Sequence, residues 1–191
     1  MTRIGIAAVQ GAVREHERVL SALGAKTSLV RRSEDLAGLD GLILPGGEST
    51  TIGMLFEEYG ISDVLRRGEI PVFGTCAGMI LLAKEIEGSE QPRLGLMDIA
   101  VRRNAFGRQR ESFEEEIAVP AISTDEPIRG VFIRAPYVTS TGAGVEVLGT
   151  LDGKIVLCRQ GRMLAGSFHP ELTDDLRLHR YFLEEVVGQG A

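Results

Sequence analysis

The first half of the chain alternates short apolar runs with stretches of helical periodicity, and this alternation restricts the fold more than any other feature. Ile4–Val9 reads as a buried strand and Arg14–Leu23 as a helix, with Val13, Val19, Leu20 and Leu23 at helical spacing. Thr27–Val30 is the next strand, and Gly41–Leu44 a third that stops abruptly at Pro45-Gly46-Gly47. Helices are expected over Thr50–Tyr59 and Ser62–Arg67, a fourth strand over Ile70–Phe73, and a helix over Met79–Ile86 directly behind Cys76. Strands separated by helices require right-handed crossovers and a parallel sheet covered on both faces.

The second half changes character. Ile99–Arg102, Glu116–Val119, Gly130–Ile133, Val145–Leu151 and Lys154–Cys158 are strand-like with few helical segments between them, and Asp152-Gly153 is a hairpin signal between two of these runs. Met163–Phe168 reads as a last strand and Asp174–Val187 as an amphipathic closing helix. The expectation is an α/β fold: a single three-layer doubly wound domain over residues 1–191, mainly parallel sheet with antiparallel additions. A chain of 191 residues buries enough surface to need neither disulfides nor a structural metal.

Charge narrows the function classes. Twenty-one basic against 27 acidic side chains give a net charge of −6, which disfavours nucleic acid as a partner. No apolar run reaches the length of a membrane span. Met1–Ile6 reads as the start of a strand rather than a signal peptide, so a cytoplasmic location is expected. Two distant cysteines, Cys76 and Cys158, do not make a disulfide framework, and no ligand cluster has metal spacing. No cofactor is implied.

Gly74-Thr75-Cys76-Ala77-Gly78 follows a strand and precedes a helix. Small residues on both sides allow a sharp strand-to-helix turn that projects a nucleophile from the sheet edge. At a helix start the dipole favours thiolate, and the Ala77 N–H points at any oxyanion formed on the substrate. Cys158, within Val156-Leu157-Cys158, reads as a small core hydrophobe.

A cysteine nucleophile needs a base, and the chain has three histidines. His16 stands among Arg14, Glu15 and Glu17 and reads as a polar helix residue; His179 lies mid-helix and reads as surface or packing. His169 stands in Ser167-Phe168-His169-Pro170-Glu171, just past the last strand. In an extended segment residues i and i+2 share a side, so Glu171 can reach and orient the His169 ring, with Pro170 stiffening the link.

After the third strand, Gly46-Gly47 offers backbone N–H groups near the same sheet edge, and Gly47 is read as a second oxyanion donor; no lysine follows to make a phosphate loop. The blander alternative is a turn with Ser49 or Thr50 capping the next helix. Arg102, Arg103, Arg108 and Arg110 lie within nine residues, and one or two of them could clamp a substrate carboxylate. The roles of Arg102, Arg108 and Arg110 are left open.

Cys76 in Gly-Thr-Cys-Ala-Gly with Phe-His-Pro-Glu some ninety residues later resembles the class I (triad) glutamine amidotransferases. The likeness sharpens at Gln10–His16, Leu42–Thr51, Arg103-Asn104, Phe106–Gln109, Val131–Pro136 and Ser167–Leu172, which together resemble the glutaminase subunits of pyridoxal 5'-phosphate synthases. The resemblance implies a Cys76, His169 and Glu171 triad, and a glutamine site formed by Gly46, Gly47, Glu48, Arg103, Ile133 and Arg134. It implies that Gln10 takes part in activation when a synthase partner docks. It also implies L-glutamine as substrate and a separate ammonia-accepting synthase subunit in a large hetero-oligomer, since 191 residues leave no room for a synthase domain. Two rivals stand beside this: the glutaminase subunit of another amidotransferase, and a non-catalytic cysteine-containing stress or binding module on the same fold.

Overall fold

The computed structural model describes residues 1–107 and 111–188. β1 (Arg3–Ala7), α1 (Val13–Ala22), β2 (Lys26–Val30), β3 (Gly41–Leu44), α2 (Ser49–Glu58), α3 (Ile61–Leu65), β4 (Val72–Thr75) and α4 (Ala77–Leu82) alternate as the sequence indicates. β5 (Ala83–Ile86), β6 (Met97–Arg102), β7 (Ser112–Ile117), β8 (Ile128–Ile133), β9 (Tyr137–Thr141), β10 (Glu146–Leu151), β11 (Lys154–Gln160) and β12 (Met163–Gly166) follow. The chain then closes through α5 (Arg177–Tyr181), whose last turns, Phe182–Val187, widen to π-helix.

Ten strands form one sheet in the order β2-β1-β3-β4-β12-β11-β9-β6-β5, with β10 added on β11. The run β2-β1-β3-β4-β12 is wholly parallel, and antiparallel pairs begin at β11. Alternation along the strands divides the core between the two faces. Leu42, Leu44 and Val72 pack with Ile52 and Phe56 of α2 and with α4. Ile43 and Phe73 point the other way, into Leu20 of α1, Leu178 and Phe182. This is the doubly wound, three-layer arrangement expected. β7 and β8 pair as a separate two-stranded sheet over the second face, burying Ile117, Ile128 and Phe132 there.

Asp152 and Gly153 both take positive φ (49° and 75°) between paired Leu151 and Lys154, the hairpin that the dipeptide signals. Other expectations are corrected. The helix ends at Leu82, not Ile86, and Ala83–Ile86 is a strand parallel to β6. A bulge between Ala83 and Glu85 leaves two exposed residues between two buried ones, which imitates helical spacing in the sequence. β9 was not anticipated, because only Tyr137 and Val138 of its five residues are apolar. The closing helix starts at Arg177 rather than Asp174: the Asp175 carboxylate accepts from the Arg177 N–H at 3.0 Å and holds the preceding residues in a turn.

Candidate active site

Strand adjacency brings distant segments together. β12 runs parallel to β4 with Gly166 opposite Thr75, and the Cys76 N–H donates to the Gly166 carbonyl at 2.8 Å. Residues just beyond these two strands therefore meet at their carboxyl ends, the edge where open α/β sheets carry their sites. Cys76 leaves β4 and His169 leaves β12 there.

Cys76 adopts φ 51°, ψ −104°, a conformation that a non-glycine residue holds only when its surroundings impose it. Glycines on either side make the turn sterically possible. A Cβ on Gly78 would lie 2.3 Å from the Leu44 carbonyl oxygen, and one on Gly74 would lie 2.5 Å from the Gly78 carbonyl. Cys76 is 9% exposed, and its thiol lies 3.8 Å from the Ile133 carbonyl oxygen. Ala77 opens α4, so its N–H is among those without an intrahelical acceptor.

His169 is fixed by its own N–H, which donates to the Val131 carbonyl of β8 at 2.8 Å. Its Nδ1 lies 2.7 Å from Oε1 of the fully buried Glu171. The two are joined by a 3-10 turn over Pro170–Leu172, not by the extended segment expected, and Pro170 sits at the first position of that turn. Arg18 steadies the turn by donating to the Glu171 carbonyl at 3.3 Å. Burial alone would lower the His169 pKa, but hydrogen bonds with Cys76 and Glu171, and the charges of both, outweigh it and raise the ring to about 10.

Gly46 is the floor of this cluster: a Cβ there would stand 2.5 Å from His169 Cε1. Beyond it, the Glu48 N–H donates to Gln10 Oε1 at 2.6 Å, linking the Gln10 segment to the glycine turn. The Glu48 side chain caps α2, accepting from the Thr50 and Thr51 N–H groups and from the Thr51 hydroxyl, which hold its carboxyl below the usual range. Ser49 and Thr50 do not serve as the cap.

Hydrogen bonds link the segments that carry several of the predicted glutamine-binding residues. Arg103 donates to Gln91 Oε1 at 2.7 Å, and Gln91 in turn donates to Ser49 in the first turn of α2. The Ala105 N–H donates to the Ala135 carbonyl, so the Arg103 loop is tied to the Ile133-Arg134 segment beside Cys76. Arg134 itself holds φ 46°. Arg102 turns away to pair with Glu87. Arg108, Gln109 and Arg110 lie outside the described residues.

Sequence reasoning misplaced His16, read as a polar helix residue, whereas His179 takes the packing role that was one of its two readings. Both are fully buried against each other and against the back of the site, with His16 Nε2 3.3 Å from the Thr75 hydroxyl. The signal was present: His16 stands three residues before Val19 and four before Leu20, on the apolar stripe of its helix. Gln91 was also missed, and no local pattern marks it. Cys158 is buried, and burial pushes its thiol to about 12, which leaves it protonated and unreactive. Among the described residues no group of three or more His, Cys, Asp and Glu side chains could hold a metal ion. No helix among them is long and apolar enough to cross a membrane.

Known proteins resemble this chain along nearly its whole length. The model of the SNO glutamine amidotransferase family matches residues 6–188. A relative from Pelotomaculum thermopropionicum named pyridoxal 5'-phosphate synthase subunit PdxT is 59% identical over 98% of this chain and 97% of its own. One of the same name from Carboxydothermus hydrogenoformans is 57% identical over 96% and 97%. A crystal structure described as a glutamine amidotransferase superposes with a TM-score of 0.92 at 56% identity, covering 97% of this chain and 98% of the other.

Proposed function

The chain belongs to the SNO glutamine amidotransferase family, and on that footing we propose that it is the glutaminase subunit of a pyridoxal 5'-phosphate synthase. Residues 1–191 act as one glutaminase domain, hydrolysing L-glutamine to L-glutamate and ammonia. Relatives at 57–59% identity carry the name of that subunit. The observation that carries the chemistry is the cluster itself: a thiol on a strained turn, and an imidazole whose Nδ1 is 2.7 Å from a buried carboxylate.

The Cys76 thiolate attacks the side-chain amide carbon of glutamine, and the carbonyl π electrons move onto oxygen. The N–H groups of Ala77 and Gly47 receive that oxyanion. The His169 imidazolium gives its proton to the departing nitrogen, so ammonia leaves and a glutamyl thioester remains. The neutral imidazole then takes a proton from water, hydroxide adds to the thioester carbon, and the thiolate is expelled as glutamate forms. Glu171 holds Nδ1–H and stabilises the imidazolium, leaving Nε2 for proton transfer.

Arg103 or Arg134 pairs with the α-carboxylate of glutamine. Gly46, Gly47 and Ile133 shape the slot beside Cys76, and Glu48 accepts from the α-amine. Gln10, bonded to the Glu48 N–H, sits where a docking partner can alter the glycine turn. Ammonia formed here passes to a separate synthase subunit in a hetero-oligomer, in the cytoplasm. Glutamate release assayed with and without a synthase subunit tests the reading. Stimulation by that subunit supports it, and release indifferent to any synthase subunit refutes the assignment to this complex.

A further inference from the structure

Two imidazoles without a part in this chemistry lie behind the triad. His16 of α1 and His179 of α5 are fully buried, and His16 Nδ1 is 2.9 Å from His179 Nε2. The other ring nitrogen of His16 faces the opposite way, 3.3 Å from the Thr75 hydroxyl and 3.6 Å from Glu171 Oε2. That carboxylate oxygen is buried and lacks a hydrogen-bond partner among the described residues, whereas Oε1 is bonded to His169. A buried carboxylate oxygen without a donor is costly, and the donor facing this one is His16.

Proton bookkeeping selects one arrangement. Burial lowers both rings, His16 well below its ordinary value and His179 to about 4, so both are neutral near pH 7. A neutral imidazole has one N–H and one bare nitrogen. Were His16 protonated on Nδ1, its bare Nε2 would face a carboxylate lone pair, and His179 would carry its proton on Nδ1, which has no acceptor among the described residues. In the reverse arrangement the His179 Nε2–H donates to His16 Nδ1, and the His16 Nε2–H points at Thr75 and Glu171. The partnerless His179 Nδ1 is then only a lone pair.

We propose that His16, held in its Nε2–H tautomer by His179, positions Glu171 by offering that proton to the second carboxylate oxygen. It acts through Glu171 and His169 and touches no substrate, so it is a positioning residue; the inference rests on the triad reading above. At 3.6 Å the contact is longer than a formed hydrogen bond, and such contacts tighten when a site closes on its substrate. Because Thr75 shares the donor, one imidazole touches both the strand that carries the nucleophile and the carboxylate that orients the base.

The test has two arms. In glutamate-release assays of the complex with the synthase subunit, His16→Leu is expected to lower kcat about 10- to 100-fold with KM unchanged. His16→Gln, whose amide nitrogen takes nearly the place of Nε2, should recover most of that loss. Parental kcat in His16→Leu, or no recovery in His16→Gln, overturns the proposal. Nitrogen NMR of the ring atoms in the unsubstituted protein is the second arm, and does not depend on any variant folding. It should show His16 protonated on Nε2, and a proton on Nδ1 refutes the positioning role. If Cys76→Ala releases glutamate as the parent does, the triad reading fails instead, and the tautomer measurement still stands by itself.

Discussion

The Nδ1 of His169 and the Oε1 of Glu171 lie 2.7 Å apart, with the carboxylate wholly excluded from water. A carboxylate so placed has no solvent to stabilise its charge and must spend it on the imidazole. That fixes which ring nitrogen is free to exchange protons with Cys76 and a substrate.

Replacing the base therefore removes the proton route. His169→Asn is expected to lose glutamate release by several orders of magnitude. Glu171→Gln keeps the shape but not the charge, and should cost about a thousandfold in kcat, read in steady-state assays. Losses below tenfold in either variant would demote these residues.

The buried histidines predict acid sensitivity. His179 is held to about 4 by burial, against 6.5 for a free imidazole. Below pH 6.5 the unfolded chain takes up a proton that the folded chain refuses, so stability falls as pH drops toward about 4. A shift of this size corresponds to about 3 kcal/mol, and urea midpoints should fall across that window. His179→Phe should flatten the fall. His169 acts with the opposite sign: raised to about 10, it adds stability that is complete below pH 6.5 and is lost as pH climbs through about 10.

The two thiols should differ in reactivity. Cys76 sits at the sheet edge with its imidazole, whereas the Cys158 thiol is raised to about 12 in the core. Iodoacetamide on the folded protein near pH 7 is expected to label Cys76 alone, shown by mass spectrometry of peptides. Faster labelling of Cys158 would contradict the assignment of nucleophile and core residue.

Tight packing at the elbow predicts that Gly78→Ala is destabilising. Its methyl would meet the Leu44 carbonyl oxygen at 2.3 Å, and backbone cannot swing aside as a flexible side chain can. The expected loss is about 1–3 kcal/mol in denaturant unfolding, together with reduced activity because α4 must move.

Features written locally were legible in the sequence. The Gly74–Gly78 elbow, the Asp152-Gly153 hairpin and the alternating strands and helices each depend on residues a few positions apart. His16 was not read correctly because its neighbours Arg14, Glu15 and Glu17 are charged, yet the helix turns its ring onto the buried stripe with Val19 and Leu20. The strand Ala83–Ile86 was hidden by a bulge that gives helical spacing. Gln91 owes its place to Arg103 and Ser49, both distant in sequence, so nothing local announces it. The meeting of Cys76 with His169 depends on β12 pairing with β4, a neighbour relation that only the folded sheet specifies.

Glutamate release by the parent protein and by Cys76→Ala, each assayed with the synthase subunit present, tests the central claim most directly. The account predicts steady release from the parent and none above background from the variant, with the variant still folded and still binding the synthase. Undiminished release from Cys76→Ala would contradict it.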